Sequence, residues 1–432
     1  MIRIRTQILL TTFWAVRAFA ADQTVVGAGN ALAVNIASNS EIVQTARQFL
    51  INQAYSIQDP NLQSVTIDAI NNPTTCITHR ANLTEADKTA ILKKLADAGL
   101  TNPNDDKTFP NGIRAGVFPP VAGEGTSCPN LPQPFYAAPG SSFGGHHSYP
   151  GGLMVHESAN ELSDLNFAAY YRRVYGTSTA DALPAVLSAV PNPLATGSDI
   201  FIDQDIIVGA PIWHDWAKSI VFQWNADGTE FQELNFGGNS QTDNYGAAGD
   251  STTGGHHIMS IAETMKRGLP PAFVISQASA HSTPTSGNEF KVVNWLRAAA
   301  ILAQVDPVAQ GYLYKDSTGR LRLPPLRQLG SIDLIKGSLS HTNTLAEYVL
   351  HNLSDSDFTL TGPAVTEIQS VLAAVAPQFG YDPTVAATYN NSFRNPVLAN
   401  MTAERLFITY GNSGTAGVAA QISKLKARQL IQ

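Results

Sequence analysis

Residues 151–176 read GGLMVHESANELSDLNFAAYYRRVYG. After its two opening glycines the stretch holds no proline and no glycine until Gly176. Leu153, His156, Asn160 and Ser163 recur at three- and four-residue spacings, the period of an α-helix. The spacing predicts one long helix, stopped by the glycine at its end. His156 then lies beside the apolar face, where a lone histidine is usually a hydrogen-bonded core residue. It has company just upstream, because residues 144–157 read GGHHSYPGGLMVHE and add His146 and His147.

Helical periods recur on both sides of this segment. They predict helices over residues 40–55 and over 84–99, the latter with Thr84 as N-cap and Gly99 near its end. Further apolar or helical stretches follow at 199–223, 256–268, 270–281 and 288–306. Residues 221–234, VFQWNADGTEFQEL, read as a β-hairpin turning at Asp227-Gly228. Residues 101–150 and the Gly-rich run 236–255 read as long irregular loops, and short helices alternate with loops after about residue 310. The fold class expected is mostly α, with a small β-hairpin insertion and long irregular loops. The GAGNAL at 27–32 fails as a dinucleotide-binding loop, since Leu32 stands at the third glycine position.

The chain has 432 residues, 44% of them hydrophobic, enough for a sizeable core. Only 14% are charged, and the formal net charge of −7 speaks against a nucleic-acid partner, which would need a basic face. MIRIR, the apolar ILLTTFWAV and AFA before Ala21 occur in the order of a secretory signal peptide, placing cleavage near Ala20 and the mature chain in the periplasm or outside the cell. No later stretch reaches the roughly 20 apolar residues of a membrane span. In an oxidising compartment the two cysteines, Cys76 and Cys128, most simply form one disulfide.

Four later segments supply polar groups in apolar or helical settings. PIWHDWAKS places His214 and Asp215 between Trp213 and Trp216, where a carboxylate is costly unless it is paired or bound to metal. Lys218 stands one turn on, close enough to favour the ionised carboxylate or to meet an anionic substrate. In TGGHHIMSIAETMKRG the buried face runs through Ile258, Ile261, Ala262 and Met265, which favours His257 over His256 as an inward-facing ligand. His281 ends an apolar helix. Asp306 ends another before Pro307, where taken alone it reads as a turn residue.

Taken in order, these segments resemble the HD-domain superfamily of metal-dependent phosphohydrolases over roughly residues 144–310. HHSYPGGLMVHE is similar to the family's double histidine, aromatic, GGL and histidine; HDWAK is similar to its HD-x-x-K; GHHI and AHS stand where members with two ions place extra histidines. The resemblance implies an HD-type helical core at 144–310, between an N-terminal extension (21–143) and a C-terminal helical extension (311–432). It implies metal ligands His156, His214, Asp215, His257, His281 and Asp306, with Asp215 bridging if two ions bind. AHS in place of a frequent double histidine, and the long Gly-rich insert before His256, depart from the pattern at the second ion. The cofactor implied is one or two divalent transition ions, with Fe, Mn, Co, Ni and Zn all compatible with imidazole and carboxylate donors. The implied reaction is hydrolysis of a phosphomonoester or phosphodiester, with Asp215, Lys218 and His147 catalytic and His146, His147 and Lys218 facing a small-molecule substrate. His146 and His147 serve equally well as groups that hydrogen-bond their own loop. The superfamily also contains di-iron oxygenases with the same ligand order, and a degenerate binding module is a third option. His79, His341 and His351 read as structural, and Arg172, Arg173, Lys266 and Arg297 as scattered basic residues.

Overall fold

The structure is a computed structural model that describes residues 26–175, 202–229, 232–237, 251–284, 288–324, 326 and 346–431. The expected signal segment and His341 lie outside these residues, as does the side chain of Arg173. The described chain is mostly helical, as its periodicities predict. Ahead of the long helix come α1 (Asn30–Asn39), α2 (Glu41–Ala54), α3 (Pro60–Asn71), α4 (Glu85–Asp97) and two short helices, α5 (Asp105–Thr108) and α6 (Gly112–Val117). The long helix itself is α7 (Gly152–Tyr175). Next are α8 (Gln204–His214), α9 (Lys218–Val221), strands β1 (Asn235–Phe236) and β2 (Thr253–Gly254), then α10 (Gly255–Lys266), α11 (Pro271–Ala278), α12 (Glu289–Ala303) and strands β3 (Tyr314–Lys315) and β4 (Leu321–Arg322). The C-terminal part holds α13 (Ala346–Ser354), α14 (Phe358–Val375), α15 (Ala386–Tyr389), α16 (Asn395–Met401) and α17 (Ala403–Ala427).

Local chemistry explains the boundaries. Thr84 caps α4 in a capping box with Asp87, satisfying two end donors at once. Asp203 caps α8 by accepting from the N–H groups of Asp205 and Ile206. Asp227-Gly228 does form a turn, with Gly228 at φ +80 and the Asn225 N–H on the Thr229 carbonyl. The ladder lies elsewhere than that turn suggests. β1 pairs antiparallel with β2, and β3 pairs with β4.

The described residues form two large hydrophobic cores and a small third cluster of Ala168, Ile202, Ile207 and Leu350. The larger gathers α2, α3, α8, α10, α11 and α12 around Trp213, Trp216 and Trp295. The second joins α14, α16 and α17 through Ile368, Leu372, Leu398 and Ile422, and reaches Tyr149 ahead of α7. Cys76 and Cys128 form a disulfide. Among the described residues no helix is long and apolar enough to cross a membrane.

Candidate metal centre

The inner face of α7 is polar. His156, Glu157, Asn160, Glu161 and Asp164 are all 1% exposed or less. Such a face is tolerated only where partners or ions compensate for it. At the end of α8, Trp213 and Trp216 point away into the core, donating from their indoles to Thr66 Oγ1 (2.9 Å) and to the Ala69 carbonyl (3.1 Å). This anchoring turns His214 and Asp215 the other way, toward His156. The glycines ahead of α7 allow the close approach. A Cβ on Gly152 would stand 1.8 Å from the His147 carbonyl, and His147 itself has φ +50.

Four atoms then converge. His156 Nε2 is 3.3 Å from Asp215 Oδ2 and 3.3 Å from Asp355 Oδ1. His214 Nε2 is 3.4 Å and 3.6 Å from the same two oxygens. Ligands about 2.1 Å from a tetrahedral ion stand about 3.4 Å apart, so this spacing fits one ion. The other oxygens of both carboxylates face a second group. Asp215 Oδ1 is 2.9 Å from His256 Nε2, and Asp355 Oδ2 is 3.8 Å from His281 Nε2. The sets His156–Glu157–His214–Asp215, His214–His281–Asp355 and Asp215–His256–His281 each bring their ligand atoms within 4.8 Å of one another. The buried His, Asp and Glu groups are thus close enough to hold a metal ion.

The outer nitrogens sharpen this arrangement. Nδ1 of His156 donates to Asp357 Oδ1 (2.9 Å), Nδ1 of His214 to the Pro211 carbonyl (2.8 Å) and Nδ1 of His256 to Glu233. His281 Nδ1 pairs with Thr253 Oγ1 at 2.9 Å. A carboxylate or carbonyl can only accept, so three of the four rings carry their proton on Nδ1 and turn Nε2 inward, as metal-binding imidazoles do. Nε2 of His214 and of His256 and both Asp215 oxygens are enclosed without a well-directed hydrogen bond. Lys218 Nζ rests against Asp215 and donates to the Gly140 carbonyl at 2.5 Å.

Charge explains the protonation. Burial resists ionising Asp215, yet His214, Lys218 and His256 around it hold its carboxyl well below the usual range. Burial likewise opposes charging His156 and His214, but the carboxylates beside them hold both imidazoles well above the ordinary histidine value. In chemical terms the cluster demands positive charge and takes it from protons when no ion supplies it. Glu157, behind His214, is pushed up to about 8 by burial.

Two expected ligands lie elsewhere. His257 turns its Nε2 to the Ala278 carbonyl (3.2 Å) and stacks on the His281 ring, while its neighbour His256 faces Asp215. α10 is buried on nearly every side, so the apolar stripe could not tell inward from siteward. Asp306 is exposed and holds its own turn by accepting from the N–H groups of Val308 and Ala309. The carboxylate at the cluster is Asp355, just past α13. Asp355 and Asp357 went unread in the sequence, although Ser-Asp-Ser-Asp at 354–357 shows the same acid-after-helix signal that singled out Asp306. His147, expected to face substrate, is 3% exposed and bound to Asp357 (2.8 Å) and the Tyr149 hydroxyl (3.2 Å). His146 does line the cavity beside the cluster, and burial, with Lys218 adding, lowers it to about 2.

The remaining candidates are structural. His79 and Arg267 bind Glu263, and His351 donates to the Ser276 carbonyl (2.8 Å) with its ring 5.1 Å from His214. Arg172, Lys266 and Arg297 bond to the Ile202 carbonyl, the Ala303 carbonyl and Asn294. The site opens into a cavity of about 470 Å³. No family model, no curated protein and no solved structure matches this chain.

Proposed function

We propose that this protein is a metal-dependent phosphohydrolase of HD type, with two divalent transition ions held by His156, His214, Asp215, His256, His281 and Asp355. The observation that carries the reading is the set of four inward Nε2 atoms around two carboxylates that each present one oxygen to either side. In chain order these residues read His, His-Asp, His, His, Asp, the order the sequence resemblance implies. Bound ions would lower the pKa of water into the neutral range and draw electron density from a phosphoryl oxygen.

The chain's own residues supply the rest. Asp215 and Asp355 fix the spacing of the two sides. Asp357, the Pro211 carbonyl, Glu233 and Thr253 fix the ring orientations. Lys218 and His146 line the cavity and face a bound ester. Water adds to phosphorus, the ester P–O bond breaks, and the alcohol leaves with a proton. His146, neutral in this setting, is placed to hydrogen-bond the leaving oxygen.

The test is elemental analysis of the purified protein, followed by chelator treatment, reloading with Mn, Co, Fe or Zn, and phosphate release from a panel of esters. Metal-dependent release, lost in Asp215→Ala, supports the reading. Two irons with turnover only under oxygen and on a non-phosphorylated compound support the oxygenase alternative instead. A protein that binds no ion leaves only a binding module.

A further inference from the structure

The charge around the cluster limits what the site can hold. Five carboxyl groups touch its imidazoles: burial keeps Glu157, 3.5 Å from His214 Nδ1, in its protonated form, and Asp215, Asp355, Asp357 and Glu233 carry the charge. Among the described residues lining the cavity, Lys218 is the single fixed cation, and its ammonium already serves Asp215 and the Gly140 carbonyl. With the imidazoles neutral, as metal binding requires, four negative charges against one positive leave the cluster at about −3; one divalent ion brings it to about −1, and two bring it to about +1. A site at −1 repels an anion, and a site at +1 accommodates one phosphoryl group and little more. No described arginine or second lysine lines the cavity to clamp a second phosphate.

The rest of the cavity is built for an uncharged body. Phe222 lies 6.1 Å from the His256 ring and Phe358 lies 6.3 Å from the His146 ring, so one aromatic face stands by each side of the cluster. Ser141, Asn352 and Ser356 add neutral polar groups to the lining, and Ala280 a small apolar one. Phe358 is 48% exposed, a large apolar surface left at the mouth of a polar site.

We propose that the substrate carries a single phosphoryl group on an uncharged, ring-bearing alcohol, that polyphosphates are rejected, and that anion binding requires both ions. The inference rests on the phosphohydrolase reading for its chemistry, but the charge and shape argument concerns binding alone. The step is the one written above: water in, the ester P–O bond broken, alcohol and inorganic phosphate out.

The experiment titrates phenyl phosphate, methyl phosphate and pyrophosphate calorimetrically into protein carrying no, one or two equivalents of Mn²⁺, with metal content checked afterwards, and follows phosphate release in parallel. Two-equivalent protein is expected to bind phenyl phosphate about tenfold tighter than methyl phosphate, from burial of the ring, and tighter than pyrophosphate. One-equivalent protein is expected to bind none of them measurably. Phe222→Ala and Phe358→Ala should each shrink the phenyl-over-methyl preference severalfold, while a circular dichroism spectrum reports that the fold persists. Equal binding of the two monoesters, tighter binding of pyrophosphate, or full anion binding with one ion overturns the inference. Preferential binding of phenyl phosphate without any phosphate release leaves the inference standing and overturns the hydrolytic reading.

Discussion

An Asp355→Asn substitution removes one charge and almost no volume. Asp355 Oδ1 stands 3.3 Å and 3.6 Å from two imidazole nitrogens, and Oδ2 stands 3.8 Å from a third. The amide keeps the shape but loses the charge that would hold an ion on each side. Breaking one member of a buried, compensated charge set costs about 3–5 kcal/mol. At 1.4 kcal/mol per decade this is on the order of a 10²–10⁴-fold loss in metal affinity. The assay is calorimetric titration of Mn²⁺ or Zn²⁺ into chelator-stripped protein. Asp306→Asn is the internal control, since that carboxylate is exposed and bonded only to the N–H groups of its own turn. Its metal affinity should stay within about twofold of the parent protein, as for surface changes generally. If Asp306→Asn abolishes binding while Asp355→Asn retains it, the assignment of the carboxylates is wrong and the resemblance-based choice of Asp306 was right.

Other consequences follow from neighbouring residues. On the two-ion proposal, His256→Ala should reduce the bound ions from two to one by elemental analysis, whereas His257→Ala should leave metal content unchanged and lose about 2–4 kcal/mol of stability, read as denaturant midpoint, because it empties a fully buried position. Glu263 is buried and accepts from the Thr78 and His79 N–H groups, the His79 ring and Arg267, so that despite its burial these bonds hold its carboxyl down to about 2. Its contribution is therefore complete above the ordinary glutamate value near 4.5 and is lost as pH falls from there toward 2, about 3 kcal/mol in all. Glu263→Gln should remove that part of the acid-unfolding profile, and an unchanged profile would show that the group is not coupled to folding. Reducing the Cys76–Cys128 disulfide, which closes a 52-residue separation, should cost about 4 kcal/mol and lower the melting temperature; no shift on reduction would count against a restraint on the unfolded chain.

The sequence by itself determined the helices and much of the site. Periodicity and caps are local properties, so α2, α4 and α10 begin and end within two residues of the stretches expected at 40–55, 84–99 and 256–268, and α7 begins directly after Gly151. His156, His214, Asp215 and His281 were legible because each is a polar residue in an apolar or helical run, an arrangement that sequence spacing exposes directly. Tertiary structure alone decided three things. It chose His256 over His257, because α10 is enclosed on nearly all sides and helical phase no longer separates a core-facing ring from a site-facing one. It chose Asp355 over Asp306, because both are acids just past a helix and only the docking of α13 against α7 and α8 brings one of them to the histidines. It also assigned His147 to positioning and His146 to the cavity, since the difference between adjacent histidines in a loop lies in which one meets Asp357. In each case the deciding contact joins residues that are distant along the chain, and a local pattern carries no information about it.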